Sequence, residues 1–278
     1  MKHSAPGWQP HWCARLLGVV LALLASLNAA AAPPTLELAG STTLAPAVRA
    51  AAATLKESRG ISYRVRTGGS EDALRDLAAG RIDVAMVSRP LRSHEKRDFQ
   101  SIEVARDNIA IIVNARNPAD RVSSELLRSI FSRGRAIWPD AGGPPGAIVP
   151  VVRGADHATR TVFDETIGTG NLVPTGVIEL NSNAAMVMYV AADPQAIGYA
   201  STGAAADAQR RGLTIRTMLV DGASPEAMDG RYPLSRPLLL VVRNDGKKRR
   251  EFDVLVDYLK GGAGQALLSS YGFAPRSR

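Results

Sequence analysis

The sequence is poor in cysteine, histidine and aromatic residues, and each scarcity narrows the classes of protein that it can encode. Its 278 residues include one cysteine, four histidines and 5% aromatic side chains. The one cysteine, Cys13, lies in a segment that we expect to be removed, which leaves no disulfide, thiol nucleophile or thiolate metal site. The sequence has no G-x-S-x-G elbow, H-E-x-x-H helix or NTPase-type phosphate loop. We therefore expect no catalytic residues, no metal and no cofactor.

The first 32 residues have the pattern of a secretory signal peptide. Lys2 and Arg15 precede an apolar run over 16–27, and the small residues over 29–32 suit a cleavage site. The apolar run is too short to cross a bilayer as a stable helix, so a permanent anchor is the weaker interpretation. Cys13 precedes the run, whereas a lipid-modified cysteine would follow it. We therefore expect removal of residues 1–32 and a periplasmic protein.

The positive charge of the chain is moderate. The formal net charge is +8, and Lys2 and Arg15 supply two of these charges, which leaves +6 without residues 1–32. This charge suits an anionic ligand, although nucleic acid or an acidic envelope surface would also be attracted. The one dense basic cluster, Lys247–Arg250, is followed at once by Glu251 and Asp253, as in a solvated helix start. With so few aromatic residues to stack on bases, we expect no nucleic-acid partner.

From Thr35 onward, short β-like runs alternate with helical segments, which indicates an α/β protein. The segment 46–57 has high helix propensity, and the segment 70–79 begins at a good N-cap residue, Ser70, and stops at Gly80. The β-α-β-α-β order predicts an open, mainly parallel sheet. The four strands predicted in this part span 36–39, 61–66, 82–87 and 109–113. The predicted division is a signal peptide over 1–32, lobe I over 33–114 and 229–278, and lobe II over 115–228, with a ligand cleft between the lobes.

Three strand-to-helix turns are candidate anion sites. A helix N-terminus presents unpaired backbone N–H groups and a partial positive charge, and both attract an anion. Ordinary helix capping explains each of the first two turns when it is taken alone. In the third, Arg153 can clamp an oxyanion or form an ion pair with Asp156. The turns span 40–46, with Thr42 and Thr43; 67–70, with Ser70; and 151–160, with Arg153 and Thr159.

Seven short segments carry a family resemblance. They are GSTTLAP at 40–46, GRIDVAMVSRPL at 80–91, DNIAIIVNARNP at 107–118, SSELLRSIFSRGRAIWPD at 123–140, AIGYAS at 196–201, GRYPLSRPL at 230–238 and GQALLSSYGFAP at 264–275. In this order and spacing, the chain resembles the phosphate-binding proteins of bacterial phosphate ABC transporters over nearly all of the sequence after the signal peptide. That family has the type II periplasmic-binding-protein fold, in which two α/β lobes bury a ligand between them.

The resemblance implies a function and a set of ligand-binding residues. The function is that of a monomeric periplasmic solute-binding protein that captures inorganic phosphate, or a similar tetrahedral oxyanion, for an ABC transporter permease in the inner membrane. Ser88 and Arg89 fall where the third strand of the family reaches the cleft. Carried over by position, the implied ligand-binding residues are Thr42, Thr43, Ser70, Ser88, Arg89, Arg153, His157, Ala158 and Thr159.

Three places depart from the pattern of that family, and in one of them Glu71 and Asp72 replace the glycines that normally follow the serine of the second turn. The third turn has His157-Ala158-Thr159 where the family usually has serine, glycine and threonine, so a titratable ring replaces a compact hydroxyl donor. Arg89 stands about where some members have an aspartate that accepts the proton of hydrogen phosphate and so excludes sulfate. These changes predict either an altered pH dependence of phosphate binding or a preference for another anion. The alternative proton acceptors in the sequence are Glu71, Asp72 and Asp156.

Two other classes of function stay open from the sequence. A hydrolase would need Ser41 or Ser70 to meet His157 and an acid, which nothing in the spacing demands. A periplasmic sensor or envelope interaction protein would use the same fold without feeding a transporter. Within the capture class, sulfate, molybdate or tungstate would change only the ligand.

Overall fold

The computed structural model describes residues 35–133, 136–170, 172, 176–227, 231–244 and 250–275. The predicted signal peptide lies outside these residues. Position 229, where lobe I is predicted to resume, and residues 247–249 of the basic cluster also lie outside them. The strands are β1 (Thr35–Ser41), β2 (Ser62–Gly68), β3 (Val84–Val87), β4 (Phe99–Asn114), β5 (Arg121–Val122), β6 (Val149–Arg153), β7 (Ile178–Leu180), β8 (Ala196–Ser201), β9 (Ile215–Thr217), β10 (Leu219–Val220), β11 (Ser235–Arg243) and β12 (Ala274–Pro275). The helices are α1 (Ala45–Arg59), α2 (Ser70–Ala78), α3 (Glu95–Asp98), α4 (Ser124–Arg133), α5 (Ala158–Ile167), α6 (Asn183–Ala192), α7 (Thr202–Arg210), α8 (Arg250–Lys260) and α9 (Gly262–Ser270), with a 3-10 helix over Trp138–Ala141.

The sequence predicts a mainly parallel sheet, whereas the first lobe has a mixed sheet of which only one part is parallel. Strands β2, β1 and β3 run parallel, and β11 runs antiparallel between β3 and β4. Helix α1 has Pro46 in its first turn, where no N–H partner is lost, and ends at Gly60 with φ of 68°. Helices α8 and α9 pack on the same apolar core as α1 and β1. The C-terminal helices therefore pack on the core of the first lobe.

The second lobe has its own sheet and core. Strand β6 lies parallel to both β7 and β8, and β8 lies antiparallel to the second half of β4. Helices α4 and α5 cover one face, where the rings of Phe131, Phe163 and Tyr199 pack with centroids 4.1 to 5.6 Å apart. Ser123 caps α4, because its hydroxyl accepts from Leu126 N at 3.1 Å.

Strand β4 is shared by both lobes. Its residues 99–108 pair with β11, and its residues 109–114 pair with β8 and β9. The predicted strand over 109–113 is therefore too short, because the charged and polar side chains over 100–108 hid the first half of β4. The lobe boundaries stay a prediction, and the change of pairing partner occurs between Asn108 and Ile109.

Several elements of the second lobe differ from the sequence prediction. The β-like run from Ile215 to Val220 predicts a single strand, but the structure has two strands there, β9 and β10, separated by Met218. Strand β7 and helices α6 and α7 were not predicted. In the part of the chain that the structure describes, no helix is long and apolar enough to cross a membrane.

Candidate functional site

The three strand-to-helix turns meet at one place between the lobes. Gly69, in the second turn, packs so closely on the third turn that a Cβ there would lie 2.3 Å from the carbonyl oxygen of Asp156. Arg153 Nη2, in the third turn, donates to Thr42 Oγ1, in the first, at 3.4 Å. The three turns therefore lie together, and the two lobes are in contact.

Hydroxyl groups of the first lobe form a chain that leaves donors available. Ser41 Oγ accepts from the amides of Thr43 and Leu44, at 3.2 Å each, and donates to Ser88 Oγ at 3.1 Å. Ser70 Oγ accepts from Ser88 N at 3.3 Å. Ser70 is the first residue of α2, and the N-cap is Gly69, so the N-cap assigned to Ser70 from sequence is wrong. Because their oxygens already accept, the Ser70 and Ser88 hydroxyls can turn their hydrogens toward a ligand.

A buried arginine that the sequence analysis missed joins the two lobes. Arg236, on β11, is fully buried and donates to Thr43 Oγ1 at 3.1 Å and to Thr159 Oγ1 at 2.7 Å. Its Nε and Nη2 both donate to Asp107 Oδ2, at 3.0 and 2.7 Å. Since Thr43 and Thr159 accept from a guanidinium, each hydroxyl is left to donate. In the sequence, the only sign of Arg236 as a site residue is its charge near the start of the apolar run of β11.

Asp107 balances Arg236 and has little capacity for anything else. It is fully buried on β4, and its Oδ1 accepts from Ser201 Oγ at 2.8 Å. Burial raises the pKa of the Asp107 carboxyl above its ordinary value, and Arg236 offsets this only in part. The ion pair with Arg236 therefore explains why the Asp107 carboxylate is buried in the cleft.

Arg153 is the basic residue of the site that has no acidic partner. It is fully buried and donates to Asn183 Oδ1 at 3.0 Å and to the Asn181 carbonyl at 3.1 Å, whereas its Nε has no hydrogen-bond partner among the described residues. The ion pair with Asp156 that the sequence left open is not formed. Burial, and next the charge of Arg236, lower the pKa of Arg153 to about 10, so the guanidinium is still charged at neutral pH.

Arg89 does not point its hydrogens at the cleft, which corrects the carried-over expectation. All five of its N–H groups are used: Glu71 and Glu95 each accept two, at 2.7 to 3.0 Å, and the Pro90 carbonyl accepts the fifth. The same contacts occupy Glu71, one of the proton acceptors proposed from sequence. Arg89 therefore ties β3 to α2 and α3.

His157 and Ala158 begin helix α5 at the edge of the site. His157 is the N-cap, and its half-buried ring makes no hydrogen bond with any described residue. It lines a cleft of about 490 Å³ together with Thr42, Gly69 and Asn181. Burial, and next the charge of Arg153, lower the pKa of His157 to about 4, although Asp156 opposes the shift. The ring is therefore uncharged at neutral pH.

The hydrolase arrangement weighed from sequence is not assembled. The hydroxyls of Ser41 and Ser70 bond within the chain described above, and neither contacts the His157 ring through a hydrogen bond. Among the described residues, no group of His, Cys, Asp and Glu is placed to hold a metal ion.

Gly69→Ala is expected to weaken oxyanion binding about tenfold, since an overpacked contact costs about 1–3 kcal/mol. The backbone of Gly69 is extended with φ of −78°, so alanine adds no backbone strain, and its methyl would meet Asp156 only when the lobes approach. Titration calorimetry with the oxyanions predicted from sequence measures the effect. Gly68→Ala is the matched control, because its Cβ would have no atom within 4 Å. Equal losses in both variants would contradict the steric argument.

Known proteins share this architecture. A family model described as a PBP superfamily domain matches residues 27–263. The phosphate-binding protein PstS of Bacillus subtilis (strain 168) is 28% identical over 206 residues, which cover 72% of this chain and 67% of that protein. An ABC-type phosphate transport receptor from Vibrio cholerae superposes with a TM-score of 0.73 and 25% identity, covering 87% of this chain and 100% of the other. A protein assigned as a phosphate ABC transporter substrate-binding protein from Clostridium perfringens, with phosphate bound, gives 0.80 at 22% identity over 88% of this chain and all of that one.

Proposed function

This chain belongs to the PBP superfamily, and from that premise we propose that it captures inorganic phosphate in the periplasm for delivery to an ABC transporter permease. The fold is the two-lobed type II periplasmic-binding-protein fold expected from the sequence. In proteins of this architecture a ligand closes the lobes around itself by a hinge motion.

One observation carries the proposal: Arg153 is a buried cation without a carboxylate. A charged group removed from water is costly unless it is paired, and Arg153 keeps an unpartnered Nε. Arg236 has Asp107 as its partner, so the pair of buried arginines holds one uncompensated positive charge. A bound anion would supply the missing charge, and a neutral or cationic ligand would not.

The remaining polar groups are donors, which fits a tetrahedral oxyanion. The hydroxyl oxygens of Thr42, Thr43 and Thr159 already accept from Arg153 or Arg236, so each hydroxyl hydrogen is available. Ser70 and Ser88 add two further hydroxyl hydrogens. The first turns of α1, α2 and α5 add backbone N–H groups and a partial positive charge. An anion with four oxygens can use such donors from several directions.

The donors come from both lobes, so binding and closure are coupled. Thr43 and Ser70 belong to the first lobe, and Arg153 and Thr159 belong to the second. An anion that bonds to both sets favours the closed form over the open one, because only the closed form offers every donor. A permease that recognises the closed form would then select loaded protein.

Isothermal titration of the mature protein, unfolded and refolded to remove bound ligand, tests the proposal. We expect phosphate to bind and to raise the apparent stability, by about 2.7 kcal/mol when free phosphate is 100 times the dissociation constant. Sulfate is titrated next under the same conditions. Binding of neither anion would contradict the proposal and direct the search to other ligands.

A further inference from the structure

The side chain of Asn183, the first residue of α6, connects the surroundings of the two buried arginines. Its Oδ1 accepts from Arg153 Nη1 at 3.0 Å and from the backbone N–H of Ser201 at 3.4 Å. Its Nδ2 donates to Thr43 Oγ1 at 3.4 Å. The two groups that face Oδ1 can only donate, so the amide cannot be turned over without setting donors against donors. The oxygen therefore faces Arg153, and the nitrogen faces Thr43.

These contacts belong to a closed ring of hydrogen bonds. Thr43 Oγ1 also accepts from Arg236 Nη2 at 3.1 Å. Arg236 bonds to Asp107, and Asp107 accepts from the Ser201 hydroxyl at 2.8 Å. The backbone N–H of Ser201 closes the ring at Asn183. Since Arg236 and Asp107 are fully buried, a bond that is lost from this ring leaves a costly unpaired group.

The ring fixes the direction of the Thr43 hydroxyl hydrogen. A hydroxyl oxygen has two lone pairs, and those of Thr43 are taken by N–H groups of Arg236 and Asn183. The hydroxyl can therefore only donate its hydrogen. By contrast, among the described residues the Thr159 hydroxyl accepts from Arg236 alone, so it keeps one lone pair. The contact with Asn183 is what makes Thr43 a donor and nothing else.

The amide of Asn183 holds Arg153 without neutralising it. Its oxygen carries a partial negative charge and no net charge, so it orients the guanidinium and leaves the positive charge for a ligand. An aspartate at position 183 would have the same shape, but its carboxylate would pair with Arg153 and take the place of the anion. The residue type at this position therefore matters as much as its contacts.

The bond from Asn183 to Thr43 crosses between the lobes. The two contacts of Oδ1 stay within the second lobe, because β6 and β8 carry Arg153 and Ser201. The contact of Nδ2 reaches the first turn, in the first lobe. Separation of the lobes breaks the contact with Thr43 and leaves the contact with Arg153 in place.

We propose that Asn183 is a positioning residue for anion capture: it orients Arg153 in the second lobe and, when the lobes close, fixes the Thr43 hydroxyl of the first lobe as a donor to the anion. The inference rests on the proposed capture of phosphate and adds a residue that acts through its neighbours. It also links closure of the cleft to completion of the donor set.

Asn183→Asp is the first test, because it keeps the size and shape of the side chain. We expect its phosphate affinity at neutral pH to fall by at least about 30-fold in calorimetric titration, since the carboxylate pairs with Arg153 and repels the anion. In urea unfolding without ligand, it should be as stable as the wild type or more so, because the buried cation is then paired. Asn183→Ala loses the orienting bonds and adds no charge, so its affinity should fall less, by about tenfold.

A double-variant cycle separates positioning from a general structural role. Thr43→Val removes the hydroxyl and keeps the shape of the side chain. If Asn183 acts through Thr43, then Asn183→Ala should weaken phosphate binding less in Thr43→Val than in the wild type, by more than about twofold, whereas independent effects multiply.

Ser182→Ala is the matched control for helix α6. It removes the N-cap bond that the Ser182 hydroxyl accepts from Ala185 N at 3.0 Å and leaves Asn183 in place. It should lower the stability of the protein and retain the wild-type phosphate affinity.

Three outcomes would each overturn the inference: wild-type phosphate affinity in Asn183→Asp, fully multiplicative losses in the cycle with Thr43→Val, or a loss of affinity in Ser182→Ala as large as that in Asn183→Ala. A wild type that does not bind phosphate would instead overturn the proposed function itself.

Discussion

Arg153→Met is expected to abolish most phosphate binding while leaving the ligand-free protein as stable as the wild type or more so. Methionine keeps much of the volume of the stem and removes a buried charge that has no acidic partner. Removing the cation from a buried charged contact costs about 2–5 kcal/mol of binding, so we expect the dissociation constant to rise by at least about 30-fold. Without ligand, the same substitution removes a desolvation penalty.

Calorimetric titration and urea unfolding of ligand-free protein measure these two effects on Arg153→Met. The opposite signs are the informative part, because a substitution that merely damages the fold would lower both quantities. Asn183→Ala is a useful companion, since it removes one partner of Arg153 and leaves the charge in place. A marked loss of ligand-free stability in Arg153→Met would show that the guanidinium is already satisfied without an anion.

Arg89→Met is expected to have the reverse effect: it should lower the stability of the ligand-free protein and retain most of the phosphate affinity. Arg89 is as deeply buried as Arg153, but it lies between Glu71 and Glu95. Breaking a buried ion pair by removal of one partner costs about 3–5 kcal/mol of stability, because the other charge is left uncompensated. Phosphate affinity of the folded protein should fall by less than about tenfold, since Arg89 has no N–H group left for a ligand.

Urea unfolding and calorimetric titration check the Arg89 prediction, and the double variant with Glu95→Met serves as its control. Removing both charges should recover part of the lost stability, whereas simple loss of packing would make the double variant worse. An affinity loss as large as that of Arg153→Met would return Arg89 to the ligand-binding set.

The ion pairs of Arg89 with Glu71 and Glu95 also predict how the stability of the protein changes at acidic pH. Burial alone would raise the pKa of Glu95, but the hydrogen bonds and charge of Arg89 outweigh it and hold that pKa below its ordinary value. A carboxyl with a lowered folded pKa stabilises the protein above its unfolded pKa, and the stabilisation is lost as the pH falls toward the folded value. Wild-type stability should therefore decline over that acidic range more steeply than the stability of Arg89→Met.

Local sequence was enough to predict the three turns but not the buried network that connects them. Thr42, Thr43 and Thr159 follow recognisable strand ends and stand at helix starts, so their place in the cleft could be expected. Arg236 bonds to Asp107, 129 positions away along the chain, and no local pattern signals a partner at that distance.

The structure differs from the sequence prediction at two other site positions, Asn183 and Arg89, for similar physical reasons. Asn183 begins α6, a helix so uniformly apolar that it lacks the one-sided periodicity by which surface helices are recognised. Arg89 occupies a position that implies contact with the ligand, yet the neighbouring Glu71 and Glu95 compete for its guanidinium and take every donor. Whether an arginine bonds to a ligand or to neighbouring carboxylates depends on tertiary packing, which the local sequence does not determine.

The continuous strand β4 has a consequence for how the protein opens. The chain crosses between the lobes within β4 and again just before β11, and Ile109 N donates to Leu234 O at this crossing. In a hinge motion a few residues absorb the change of backbone angles, and we expect them where the chain passes between the lobes. Asp107 on β4 and Arg236 on β11 stand next to this crossing, whereas Gly69 and Asp156 belong to two of the turns that meet at the cleft. Opening about this crossing would separate Gly69 from Asp156 and would also break the bond from Arg236 to Thr43 or to Thr159, so both ends of the cleft re-form on closure.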